Sequence, residues 1–260
     1  MSEEILCQRD GAIATVVLSN PAKRNAVTAA MWQRLTEVMN ELSADTGLRC
    51  VILRGAGKDF AAGGDIEEFA RVRATREQGL VYHEQWVAGA LRAVDECLHP
   101  TVALIRGNCI GGGLEIAALC DLRIAAHSAR FGAPINRLGF SMAHGELSGI
   151  VALVGRAVAL EILLEGRLMG ADEAYRKGLI TRVSADEDVG EEARATALRI
   201  AAGAPLVARA HKKLVRRLAP PPDTLTPQEI ADSYAYFDSE DYRIGLKAFR
   251  DKEQPEFKGR

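Results

Sequence analysis

Two stretches of the chain set small residues directly ahead of a helix-like run, and each carries a carboxylate. One is Ala61-Ala62-Gly63-Gly64-Asp65; the other is Gly111-Gly112-Gly113-Leu114-Glu115. Consecutive glycines start a helix poorly, because glycine loses the most backbone freedom on ordering. A strand-to-helix turn bare of side chains does let another group reach backbone N–H donors, where the helix dipole adds partial positive charge. Phosphate is one such group, but the phosphate patterns fail here. A dinucleotide loop needs G-x-G-x-x-G, and the sixth position counted from Gly111 is Ile116. Gly55-Ala56-Gly57-Lys58-Asp59 resembles the end of a P-loop, yet Ile52 stands where glycine is required and Asp59 replaces Ser or Thr.

The other use of paired bare N–H groups is an oxyanion hole, in which two donors stabilise the charge developing on one carbonyl oxygen. No G-x-S-x-G elbow occurs, which argues against a serine hydrolase. A hole without a nucleophile suits chemistry through an enolate, with Glu115 moving the proton. The competing reading is that the glycines serve tight helix–strand packing and Glu115 complements the helix dipole.

These loops need strands behind them and helices ahead. Residues 5–20 read as a hairpin turning at Asp10-Gly11 and ending at Asn20-Pro21. Thr28 is a candidate N-cap for a helix carrying Met31, Leu35, Val38, Met39 and Leu42 at helical spacing. Strands are expected at 50–55, 101–107, 122–126 and 179–183, with an extended segment at 129–134. Helices are expected near 66–69, over roughly 80–98 ahead of Pro100, after the glycine triplet, and from about 145 in three pieces. Beyond Asp186 only helical patterns remain, at 189–202, 205–218, 227–237 and 239–252, with Pro220-Pro221-Pro222 as a stiff break. The chain therefore reads as a mixed α/β core, residues 1–195, followed by a helical region, 196–260.

Bulk properties narrow the class. The 260 residues carry a net charge of -2 and a pI near 6.3, which does not favour nucleic acid or an anionic membrane as main partner. Five scattered cysteines without C-x-x-C spacing suggest free thiols in a reducing compartment. The N-terminus lacks the apolar core of a secretion signal, and no apolar run approaches the length expected to span a bilayer. A cytoplasmic protein is the expectation. His83, His99, His127 and His211 lack ligand spacing, so no metal is expected.

Residues 20–28 (NPAKRNAVT), 55–69 (GAGKDFAAGGDIEEF), 107–134, 164–183 and the C-terminal 239–260 together resemble the crotonase, or enoyl-CoA hydratase/isomerase, superfamily, in the family's order along essentially the whole chain. The resemblance implies a spiral of ββα units with an α-helical C-terminal region used in trimer formation, two trimers often stacking. It implies a coenzyme A thioester as substrate and no covalently bound cofactor. By motif position, the N–H groups of Gly64 and Gly112 would bind the thioester oxygen, and Glu115 would be the first catalytic glutamate. Ala22, Lys23 and Arg24 would lie along the CoA phosphates and adenine. Ala62, Asp65, Ile135 and Phe140 fall where substrate would pass.

The chain departs from the family in one respect that touches chemistry. Family hydratases carry a second glutamate in an F-G-x-P-E segment, which here reads Phe131-Gly132-Ala133-Pro134-Ile135. Isoleucine can neither orient water nor deliver a proton. Three outcomes follow: one-base chemistry such as double-bond migration on Glu115 alone; a replacement group, His144 or Glu146, from the altered loop at 141–147; or loss of hydration. His144 equally suits a surface loop, and Glu146 the first turn of a helix. Asp65 reads as an N-cap, Asp121 as a turn residue. Trp86 and Phe140 suit either an acyl pocket or the core. The basic stripe at 211–217 reads as a solvated helix face, or as a contact for CoA phosphate or RNA. An acyl-CoA enzyme leads; a non-catalytic acyl-CoA-binding or RNA-binding protein on the same scaffold is the rival.

Overall fold

The computed structural model describes residues 4–219 and 226–258. Among these, the strands are β1 (Glu4–Asp10), β2 (Ile13–Ser19), β3 (Cys50–Gly55), β4 (Thr101–Ile105), β5 (Asn108–Ile110), β6 (Leu122–Ala126), β7 (Arg130–Gly132), β8 (Met169–Gly170) and β9 (Arg182–Ser184). The helices are α1 (Ala29–Ala44), α2 (Phe69–Val72), α3 (Arg76–Leu80), α4 (Ala88–Asp95), α5 (Gly112–Leu119), α6 (His144–Glu165), α7 (Ala171–Arg176), α8 (Val189–Ala202), α9 (Pro205–Leu218), α10 (Pro227–Ser233) and α11 (Glu240–Asp251).

One sheet has the order β1-β2-β3-β4-β6-β9, a second the order β5-β7-β8. β1 and β2 form the expected antiparallel hairpin, and every later pair in the large sheet is parallel. The runs β4-β5-α5 and β6-β7-α6 repeat one plan: a strand in the large sheet, a short strand in the small one, then a helix. This is the mixed α/β arrangement of ββα units expected above. Strand periodicity divides the interior. Val51 and Leu53 of β3 join the main core with Trp32, Leu35 and Ile105, while Cys50 and Ile52 face a second cluster with Val102, Ile124 and the α8 residues Val189, Ala193 and Ala197.

Several expectations change in detail. The helix expected at 80–98 is a composite: α3, a π-helical segment Val81–Val87, and α4. The strand expected at 179–183 begins only at Arg182, and the helix expected at 227–237 becomes α10 followed by a 3-10 turn, Ala235–Asp238. Pro220-Pro221-Pro222 lies outside the described residues. Helix α6 corrects the view that no apolar run could cross a bilayer: by length and composition it is long and apolar enough. Gly155, at φ 73° and ψ 170°, breaks it into two shorter helices at the point where the sequence separates its two apolar pieces. Among the described residues no group of three or more His, Cys, Asp or Glu is arranged to hold a metal.

Candidate active site

The first glycine loop is stitched onto the body by its backbone. Val27 N–H donates to Gly63 O at 2.8 Å, Asp65 N–H to Val27 O at 3.0 Å, and Ala62 N–H to Arg24 O at 3.0 Å. Buried Asn25, in the left-handed region, holds the loop through Asp59 O and Ala56 O, both at 2.8 Å. The second loop is registered by Gly111 N–H on Gly132 O at 2.9 Å. Gly111 has φ 48°, a turn that an L side chain resists. A Cβ on Gly113 would lie 2.5 Å from Ala61 O, and one on Gly112 would lie 2.8 Å from the Trp32 ring and 3.5 Å from the Gly64 nitrogen. The triplet thus packs α5 tightly, as one reading of the sequence had it, and this packing brings two bare backbones together. Among the described residues neither Gly64 N–H nor Gly112 N–H has an acceptor.

Glu115, in the first turn of α5, is 6% exposed. It faces a cavity of about 100 Å³ that Ala62, Gly64, Gly112, Ile135 and Phe140 also line. Burial, and then the charge of Glu146, push its carboxyl well above the ordinary range, with Arg73 opposing. Glu146 lines the same cavity from the first turn of α6, only 5% exposed. Its Oε1 is 2.5 Å from His83 Nδ1, and Oε2 accepts from Ala143 N–H at 3.4 Å. His144, the first residue of α6, does not line the cavity. Its Nδ1 is 3.6 Å from Glu84, an ion-pair distance too long for a hydrogen bond.

The remaining sequence candidates lie further out. Asp65 is buried, caps the following turn through Glu67 N–H at 3.2 Å, and pairs with Lys23 at 2.7 Å. Lys23 also reaches Glu67 at 2.8 Å, and Ala22 and Arg24 are exposed beside it. Trp86 packs on Tyr82 and is not in the cavity wall. The basic stripe of α9 is partly turned inward: Lys212 donates to His99 O at 2.8 Å and pairs with Asp121 at 2.7 Å, while Arg216 reaches Asp95 at 3.1 Å.

Arg73, Tyr82 and His83, none of them given a role at this site from the sequence, also line the cavity. Tyr82 accepts from Trp32 Nε1 at 3.2 Å, and its hydroxyl is 2.9 Å from where a Gly64 Cβ would sit. Tyr82, His83 and Val87 share the inner side of the π-helical segment, a distortion frequently found at functional sites. No local spacing marks them, because their partners are remote in sequence.

Known proteins resemble this chain over nearly its whole length. The family described as enoyl-CoA hydratase/isomerase matches residues 8–260. The chain belongs to that family. The Mycobacterium bovis protein named "Probable enoyl-CoA hydratase echA8" is 34% identical over 258 residues, covering 98% of each chain. The short-chain-enoyl-CoA hydratase of Clostridium acetobutylicum is 30% identical over 261 residues, again 98% of each. Among solved structures, an enoyl-CoA hydratase/carnithine racemase from Magnetospirillum magneticum is 47% identical, covers 100% of this chain and 97% of its own, and superposes with a TM-score of 0.82. This member of the hydratase/isomerase family is accordingly an enzyme with the crotonase fold, and the purely binding alternatives are not favoured.

Proposed function

We propose that the chain hydrates short-chain α,β-unsaturated acyl-CoA thioesters. The observation that carries this reading is that two carboxylates, Glu115 and Glu146, line one small cavity with the unbonded N–H groups of Gly64 and Gly112. The two donors would receive the thioester oxygen as enolate charge develops there. Glu115, whose protonated form burial favours, would supply the proton at the α-carbon, and Glu146 would take one from the attacking water. Glu146 thereby stands in for the glutamate missing at Ile135. The limited cavity suits a short acyl group, as does the likeness to the Clostridium hydratase. Ala22, Lys23 and Arg24 would carry the CoA end, as the family resemblance implies. A homotrimer is part of the proposal, supported by the exposed leucines of α6 and α9.

A second reading has its own observation. Both oxygens of Glu146 are already engaged, by His83 and Ala143, which would leave Glu115 as sole proton shuttle for double-bond migration. Crotonyl-CoA and a 3-enoyl-CoA, followed at the absorbance of the conjugated thioester, separate the two. Hydration predicts loss of the band with crotonyl-CoA, and a drop on the order of 10²- to 10⁴-fold in kcat for both Glu115→Gln and Glu146→Gln. Activity only on the 3-enoyl ester, unaffected by Glu146→Gln, establishes the second reading instead.

A further inference from the structure

We propose that Arg73 and His83 are positioning residues for Glu146, forming a buried one-way hydrogen-bond chain that replaces a glutamate built into position 135. The proposal rests on the hydration reading above and names what makes its second carboxylate usable.

The direction of the chain follows from donor chemistry. A guanidinium only donates, and Arg73 Nη1 lies 2.8 Å from His83 Nε2. That ring nitrogen must therefore accept. Tyr236 OH, 3.5 Å from the same nitrogen, is a second group facing it. With Nε2 accepting, the ring proton sits on Nδ1, which points at Glu146 Oε1 at 2.5 Å. The tautomer is thus assigned from the network, and it presents Glu146 Oε1 with a donor that fixes the orientation of the carboxylate.

The chain is rigidly held. Arg73 is 1% exposed and His83 3%. The Arg73 guanidinium lies over the rings of Phe69, at 3.9 Å, and Phe140, at 4.2 Å, and its Nε donates to Tyr242 OH at 3.3 Å. Tyr82 packs edge-on against His83, ring centroids 5.1 Å apart. Helix capping does not account for this construction. The cap needs only Ala143 N–H, whereas burying a guanidinium and an imidazole is costly unless their bonds serve the group they meet.

In the reaction, the water oxygen bonds to the β-carbon while its proton goes to Glu146. The electron pair of the double bond, carried as an enolate, takes the Glu115 proton at the α-carbon. One water has been added and nothing oxidised; passage of a proton from Glu146 to Glu115 restores the starting state. His83 and Arg73 keep their own protons throughout and aim Glu146.

The test uses the full chain and crotonyl-CoA. His83→Leu and Arg73→Met are expected to lower kcat on the order of 10²-fold with KM within about threefold, because the chain orients a reacting group rather than the substrate. The double variant His83→Leu/Glu146→Gln is expected to be no slower than Glu146→Gln alone. His83→Asn, which keeps a donor toward Glu146, is expected to recover about tenfold over His83→Leu. Multiplicative losses in the double variant, or an effect confined to KM, would overturn the proposal. Nitrogen-15 histidine spectra of the unaltered protein give a reading independent of turnover: His83 should carry its proton on Nδ1. A proton on Nε2 overturns the chain whatever the activity, while absent turnover of crotonyl-CoA with the Nδ1–H form present overturns the hydration reading and leaves the chain standing.

Discussion

At the scale of single residues, the site turns on how one buried carboxyl holds its proton. Glu115 has its pKa raised above the 4.5 of a free glutamate, first by burial and then by Glu146. Between those two values the folded chain binds more protons than the unfolded chain, so this group's contribution to stability is complete below about pH 4.5 and is lost as pH rises through the raised value. Glu115→Gln removes that dependence. Urea midpoints measured from about pH 5 to about pH 8 should show the variant gaining on the parent as pH rises. Parallel curves would mean that Glu115 titrates as in the unfolded chain, and would remove the argument for its protonated role.

At the scale of elements, the glycine triplet ties the packing of α5 to the spacing of the two loops. Gly113 packs against the Ala61 backbone and so draws α5 onto the first loop. Gly113→Ala should cost about 1–3 kcal/mol, read as a lower urea midpoint at unchanged slope, and should also reduce kcat because Gly112 N–H moves away from Gly64. Normal activity in a destabilised variant would separate packing from the oxyanion pair. Elements whose signals are local were legible in the sequence. Helix α8 and helix α9 fall where their spacing places them, β3 and β6 match their apolar runs, and Thr28 caps α1 through Met31 N–H. The glycine loops and Glu115 were legible for the same reason, being contiguous. Arg73 and His83 were not. Their partners lie 169 and 63 residues away, and the π-helical segment that turns His83 inward departs from the 3.6-residue period used to read helices. Ile135 marked a missing carboxylate, and the altered loop at 141–147 offered His144 or Glu146 in its place; of the two, Glu146 lines the cavity.

At the scale of the whole molecule, large apolar side chains remain uncovered. Leu164 on α6 is 71% exposed and Leu218 on α9 is 80% exposed, with Leu160, Leu206 and Val215 nearby on the same helices. Contiguous exposed apolar surface on a folded chain marks an interaction face. The proposed homotrimer predicts three chain masses by light scattering, and a shift toward monomer for Leu164→Asp. A monomeric parent protein would refute it. The same helix faces explain why α6 passes for a membrane segment by composition while Gly155 bends it and buried Glu146 anchors its start.

The aromatic walls around Arg73 carry a consequence for how the enzyme comes into being. Tyr236 and Tyr242 meet His83 and Arg73 more than 150 residues after those two have left the ribosome. The second glycine loop is registered by Gly132 and the guanidinium has Phe69 and Phe140 to lie against by residue 140, yet its Tyr242 partner and the Tyr236 hydroxyl beside His83 arrive only with the segment at 234–242. A chain arrested before that point would carry both glycine loops and both glutamates without the hydroxyl that Arg73 Nε donates to. On the proposed chain, Tyr242→Phe, which removes that hydroxyl alone, should lower turnover more than thioester binding.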